Sequence, residues 1–268
     1  MEHILSNPGL IHIREQIFGH FDQKTLEICR EVFANRFGEE WDSWLERLIL
    51  IQHISEFGDT KIRRRRTFKD LIPGWNKAIK KFVKMASLKD LDEVKGSLKG
   101  LSNRANRYFP FHRAAKKGHL KLMELLLYTD LNINKGDVRD TSGLGYTGNT
   151  PFIVSCQEGH TDIVNLMVTS SKEFGIDLNA SNVNGWTGLM FACQRGHTEI
   201  VKLMIENRTK YGINIQQENN SGLNAFKIVN ETNYDIFTLQ KLYGILEEAY
   251  SVDNEPQPTL KLAFLAQV

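Results

Sequence analysis

The sequence predicts an all-α protein: a small helical domain, a helical cap and a stack of helix pairs with loops projecting between the pairs. Three observations predict it. Similar segments recur along the second half of the chain, each closed by Gly-His, the mark of a repeat architecture. Apolar residues in the first hundred positions fall at helical spacing. Apolar residues make up 41% and charged residues 25% of the chain, with 6 prolines and 20 glycines among 268 residues, which excludes a disordered or collagen-like chain.

Between Pro8 and Phe57 the apolar spacing predicts three amphipathic helices over residues 9–21, 23–36 and 39–57, with turns at Asp22 and around Gly38. The segment NPGLIHIREQIFGHFDQKTLEICREVF, residues 7–33, resembles an F-box. Pro8 stands for that family's proline, Ile17 and Phe18 for its I-F pair, and Phe21 for the leucine ending the first helix. Leu26 stands for the leucine of the second helix and Val32 for the valine of V-C. The offsets from Ile17 to Phe21, Leu26 and Val32 are 4, 9 and 15, as the family has them. Pro8 lies farther from Ile17 than the pattern asks, Phe33 replaces its cysteine, and Arg36 stands where a tryptophan is usual. The resemblance implies that residues 1–60 dock on the Skp-type adaptor of a cullin-RING ubiquitin ligase through Pro8, Ile17, Phe18, Phe21, Leu26 and Val32. A unit of this size cannot hide all six apolar side chains.

Charge is distributed unevenly along the chain. Residues 1–60 carry a net −6, residues 61–121 a net +15 and residues 122–268 a net −7, so the middle offers an electrostatic face, a localisation signal or a docking partner for the acidic ends. The run Lys61, Ile62, Arg63, Arg64, Arg65, Arg66 reads as a solvated linker, a nuclear-import signal or a nucleic-acid contact. Nucleic acid is not the expected partner, because Trp75, Phe82 and Tyr108 are better explained as core and cap than as a stacking platform. Residues 61–103 are expected to form this basic linker and then a cap, with Trp75, Ile79, Phe82, Val83 and Ala86, then Leu88, Leu91, Val94 and Leu98, at helical spacing.

The repeats occupy residues 104–250. Their opening segments are FPFHRAAKKGH from Phe109, TPFIVSCQEGH from Thr150, TGLMFACQRGH from Thr187 and a weaker NAFKIVNETNY from Asn224. These resemble the opening and Gly-His turn of an ankyrin repeat, and LKLMELL, TDIVNLM and TEIVKLM resemble its second helix. The starts are 41, 37 and 37 residues apart, against a family period of about 33. The four extra residues of the second and third repeats fall after Leu166 and Leu203, where one added turn is expected to lengthen the second helix without rotating its apolar face. The eight extra residues of the first fall between Asn134 and Thr150, in the loop between repeats. The fourth copy, with Asn233 and Tyr234 in place of Gly-His, is expected to cap the stack. Residues 251–268 form a tail that turns from polar to apolar; a docked or partner-binding segment and a frayed end are both open readings.

Several patterns imitate chemistry. Gly143, Gly145 and Gly148 fit G-x-G-x-x-G, but no strand precedes them, so an enlarged flexible finger is the plainer reading. His119, His160 and His197 recur at the helix-helix turn, where in the ankyrin family the ring hydrogen-bonds locally. Successive copies about 10 Å apart cannot share a metal at roughly 2.0–2.1 Å. Cys156 and Cys193 share one repeat slot and, with Cys29, make no C-x-x-C pair, which suits a reducing compartment and packing. No nucleophile with a base at recognisable spacing accompanies them. No enzyme activity, cofactor or metal is expected. No export signal or span of about 18 apolar residues is present, so a cytoplasmic location, or a nuclear one if the basic run is read, is expected.

The function expected is that of a non-catalytic substrate receptor, with the rival that the chain is a plain scaffold or nuclear regulator whose N-terminal helices only cap the stack. Repeat stacks recognise partners through extended surfaces and variable loops. The target, a protein that the sequence does not name, is expected on the finger tips: Asp137, Arg139, Asp140 and Tyr146 in the long loop, Asn182, Asn184 and Trp186 in the next, Glu218 and Asn220 in the last. Trp186 serves either as a packing bridge between fingers or as a binding anchor.

Overall fold

The computed structural model describes residues 18, 20–21, 25–31, 45, 48–49, 61–63, 66–67, 74–86, 89–90, 93–94, 110–137 and 148–252. The chain divides into two compact units, residues 1–108 with 124–131, and residues 109–123 with 132–268.

In the first unit Phe18, residues 25–31, Leu45, Leu48 and Ile49 are helical. Phe18, Leu26 and Leu45 are buried together, with Phe21, Cys29, Leu48 and Ile49 packed against them. The rings of Phe18 and Phe21 meet edge to face with centroids 5.3 Å apart, an arrangement that aromatic quadrupoles favour.

The basic run is not a plain linker. Lys61–Arg63 (β1) pairs antiparallel with Arg66–Thr67 (β2). Ile62 and Thr67 suit a pleated backbone, and the pairing satisfies main-chain groups that a linker leaves to water. This hairpin is the one departure from helix among the described elements.

Helix α1, Trp75–Met85, buries Trp75, Ala78, Ile79 and Phe82, a spacing that lines one face. It stops where Ala86 turns extended and donates its N–H to the Phe82 carbonyl. In the same unit the Lys81 ammonium lies 4.3 Å from the Tyr128 ring centroid. A Cβ at Gly74 would meet the Asp130 carboxylate at 2.7 Å, so α1 is fitted closely to residues 128 and 130.

The second unit carries the repeats. The first repeat contributes α2 (Pro110–Lys117) and opens α3 (Leu120–Leu127). The second is α4 (Pro151–Glu158), α5 (Thr161–Thr169) and α6 (Ser171–Phe174). The third is α7 (Gly188–Arg195), α8 (Thr198–Glu206) and α9 (Arg208–Tyr211). The fourth is α10 (Ala225–Glu231) with a long α11 (Ile236–Val252). First helices pack in one row, α2 on α4 on α7 on α10, and second helices in another, α5 on α8 on α11.

The first helices of the second, third and fourth repeats start alike. The side chains of Thr150, Thr187 and Asn224 accept from the N–H groups of Ile153, Met190 and Lys227, which satisfies donors that a helix start leaves unpaired. Between the rows lie Ile163, Val164, Met167 and Val168, and one repeat later Ile200, Val201, Met204 and Ile205. Each such side chain contributes about 1.5–3 kcal/mol by leaving water.

The four extra residues of the second and third repeats do not lengthen one helix, as the spacing alone suggests. They make separate turns, α6 and α9, because the helix breaks at Ser170 (φ −92°, ψ 0°) and Asn207 (φ −98°, ψ 2°). At the breaks Ser170 Oγ and Asn207 Nδ2 donate to the carbonyls of Leu166 and Leu203 at 2.6 and 2.9 Å. Short polar side chains that reach back in this way compete with the helical ladder and end it.

Candidate functional site

The fingers hold the surface that the sequence nominates, and each closes by the same pair of bonds. In the second finger Asn182 N–H donates to the Trp186 carbonyl at 3.0 Å, and Trp186 N–H donates to Asn182 Oδ1 at 3.0 Å. In the third, Asn219 N–H donates to the Leu223 carbonyl at 2.9 Å, and Leu223 N–H to Asn219 Oδ1 at 3.0 Å. In the first, Asp137 N–H donates to the Asn149 carbonyl at 2.9 Å, and Asn149 N–H to Asp137 Oδ1 at 2.9 Å. The clasp partners are four residues apart in the short fingers and twelve in the long one, so the eight-residue insertion sits inside an unchanged clasp. A glycine with positive φ precedes the second partner each time, Gly148, Gly185 and Gly222, since the tight reversal needs a backbone that L side chains resist.

The clasps are tied to one another. Asn182 Nδ2 donates to Asn149 Oδ1 at 2.9 Å, Asn220 N–H to the Asn184 carbonyl at 3.1 Å, and Asn220 Nδ2 to the Val183 carbonyl at 3.1 Å. At the root of the fingers a second ladder runs. Asn134 donates to the Gly175 carbonyl and accepts from Asp177 N–H, at 2.7 and 2.9 Å. Asn179 does the same to Gly212 and Asn214, at 2.7 and 2.8 Å. The recurrence of Asn134 and Asn179 was the visible signal for these clamps; only the stacking shows what they hold.

His112, which the sequence did not single out, is half-buried beneath the long finger and donates from Nε2 to the Asn149 carbonyl at 2.8 Å. That oxygen already accepts from Asp137, and its two lone pairs serve both donors. Burial holds His112 below the ordinary histidine value, with Lys135 acting the same way and the Asn149 bond and the Asp137 charge opposing.

The Gly-His turns depart from the expectation of local hydrogen bonds. His160 and His197 donate from Nε2 to the carbonyls of Lys116 and Gln157, each in the preceding repeat, at 3.2 Å. A carbonyl only accepts, so each Nε2 carries the proton. A Cβ on Gly118 or Gly159 would stand 2.9 or 2.7 Å from the incoming ring. Tyr234 replaces histidine at the last seam, and its hydroxyl donates to the Cys193 carbonyl. Cys156 and Cys193 are buried, and burial pushes both thiols far up. Among the described residues no group of three or more His, Cys, Asp or Glu is placed to hold a metal ion, and no helix is long and apolar enough to cross a membrane.

The structure sorts the nominated target residues. The Asp137 carboxylate is used in the finger stem, not at a tip, and Asn182 is used in the same way. Glu218 pairs with Lys227 at 2.6 Å, and Asn220 ties the fingers together. The Trp186 ring lies on Phe191 of α7, with centroids 5.1 Å apart. Asn184 is exposed; its backbone N–H goes to Asn182 Oδ1, and its own amide bonds to nothing among the described residues. Arg139, Asp140 and Tyr146 lie outside the described residues.

Of the adaptor-facing set, Phe18 and Leu26 are 4% and 0% exposed. They form the core of their helices and do not present a face to a partner; the amphipathic pattern does not distinguish these two uses. Phe21 is half-buried, and Pro8, Ile17 and Val32 lie outside the described residues. Ile28, unnoticed in the sequence, is 53% exposed. Of the basic run the backbone of Lys61, Arg63 and Arg66 lies in the hairpin, and Arg64 and Arg65 lie outside the described residues.

The profile of the family described as Ankyrin repeats (3 copies) matches residues 79–182, 111–219 and 167–239. The chain belongs to the ankyrin-repeat family. The matches together run from residue 79 to 239, more than half of the 268 residues. Ankyrin repeats are protein–protein interaction modules, and the stacked clasps are their finger face in this chain. No curated protein matches the chain in sequence.

Proposed function

We propose that the protein is a non-catalytic substrate receptor, whose ankyrin repeats (residues 104–250) hold a target protein while residues 1–60 recruit a Skp-type adaptor of a cullin-RING ubiquitin ligase. The observation that carries this reading is the F-box-like spacing of Ile17, Phe18, Phe21, Leu26 and Val32 beside an interaction module. The small core of Phe18, Leu26 and Leu45 supports it, because it gives the segment a helical body on which neighbouring apolar residues such as Ile28 stay exposed. A chain that joins one recruiting surface to one capturing surface needs no catalytic group of its own. The cytoplasm is the compartment this reading requires, and the nucleus if residues 61–66 serve import.

Co-expression with a Skp-type adaptor, followed by size-exclusion chromatography, tests the proposal. A 1:1 complex is expected, lost in the variant carrying Ile17→Asp and Phe21→Asp. Ile28→Asp, at an exposed position, separates lost docking from lost folding and is expected to weaken the complex with the helical signal retained. If the wild type elutes as a lone monomer, the recruiting role fails and the scaffold reading takes its place.

A further inference from the structure

We infer that the second finger and the first helix of the third repeat form a site for an extended, uncharged peptide segment of a partner that places a bulky apolar side chain against Trp186 and Phe191. The inference rests on the reading that the repeat face captures a protein, and it says which chemistry that face selects.

In a chain with 25% charged residues, positions 179–194 contain none. That stretch makes the second finger and nearly all of α7. The cores of protein interfaces are depleted of charge and enriched in aromatic side chains, and both features coincide here. Trp186 and Phe191 are both half-buried, their rings tilted by 40° with centroids 5.1 Å apart, so each supports the other while part of each faces out. Val183 at the same finger is 48% exposed.

Polar groups complete the selection. Asn182, Asn219 and Asn220 use their amides inside the fingers, whereas the Asn184 amide is unengaged among the described residues. It offers a donor and an acceptor side by side, the pair that a peptide group needs. A charged partner would instead lose water without gaining a counter-charge from residues 179–194.

The fingers are already held in shape. Asn220 binds the carbonyls of Asn184 and Val183, and a Cβ on Gly185 would stand 2.7 Å from Asn220 Oδ1. A surface fixed before binding loses little freedom on contact, so Trp186 is placed to act as the anchoring contact.

The test is a displayed library of random dodecapeptides panned on the full chain, followed by affinity measurement of the enriched peptides by calorimetry. Enriched sequences are expected to be poor in charge and to carry a Trp, Phe, Leu or Met. Trp186→Ala is expected to weaken them by at least about tenfold, and Val183→Asp and Asn184→Asp to weaken them by a smaller factor. The last two change exposed tips, so they stand as the test if Trp186→Ala unfolds. Enrichment of charged peptides, or binding indifferent to all three changes, overturns the inference. So does a dimer that Val183→Asp dissolves, which would make a second copy the occupant. A gain in affinity on removing residues 253–268 would make the chain's own tail the occupant and overturn it likewise. Each of these results is independent of whether the Skp-type adaptor binds.

Discussion

The Gly-His turns and the fingers join the same repeats by different means. At the turns a histidine ring fills the space that Gly118 or Gly159 leaves open, so the seam depends on a missing side chain and on close packing. At the fingers, hydrogen bonds close across the two ends of each loop. A steric lock fixes the number of residues on both sides of it, whereas a clasp fixes only its own ends. This is why the long finger accepts eight more residues than its neighbours while the turns keep their length through three repeats.

The largest effect is expected from Gly159→Ala. An L side chain at φ +80° costs about 1–2 kcal/mol, and its Cβ also displaces His197 from the Gln157 carbonyl, worth about 1 kcal/mol more. Urea unfolding should show a loss of about 2–3 kcal/mol. His197→Ala should cost about 1–2 kcal/mol and make a later Gly159→Ala cheaper, since the clash has been removed; strict additivity of the two would refute the lock. Gly212→Ala, at φ +71° with nothing within 4 Å, should cost about 1 kcal/mol from backbone strain alone. If it matches Gly159→Ala, packing adds nothing at the turns.

The fingers predict gentler responses. Deleting residues 138–145 leaves three residues between Asp137 and Asn149, as between Asn182 and Trp186. The clasp should re-form, and the shorter loop should change stability by about 1 kcal/mol or less. Acidification should act through His112. Its folded value lies below its unfolded value, so above about pH 6.5 neither state holds the proton. As pH falls through that range the unfolded chain gains the proton first and stability drops. The difference between unfolding midpoints at pH 7.5 and 5.5 should narrow in His112→Asn; an unchanged difference would place the titrating group elsewhere.

The repeats were legible because their residues recur. Thr150, Thr187 and Asn224 mark helix starts, Gly118, Gly159 and Gly196 mark turns, and counting between such landmarks placed the eight-residue insertion in the loop where the clasp of Asp137 and Asn149 encloses it. The break at Ser170 and Asn207 was not legible from apolar period, since the added turn keeps Ile176 and Ile213 buried whether or not the helix is continuous. Nor did the pattern tell surface from core in the first unit: Phe18 and Leu26 fit a docking motif and a core equally well. Finger residues chosen for polarity divided once partners were visible, with Asp137, Asn182 and Glu218 engaged and Asn184 unengaged.

The sequence by itself determined the helical class, the ankyrin repeat, the site of each insertion and the decayed last copy, because local spacing, capping residues and turn glycines are properties of neighbouring positions. Only the tertiary structure decided which carbonyl each histidine reaches, that the Tyr234 hydroxyl donates to the Cys193 carbonyl, that Lys61 to Arg63 pairs with Arg66 and Thr67, and that Trp186 lies on Phe191. Those facts join residues that stacking and chain reversal bring together, and the identity of a hydrogen-bond partner in another repeat is set by the three-dimensional register of the stack.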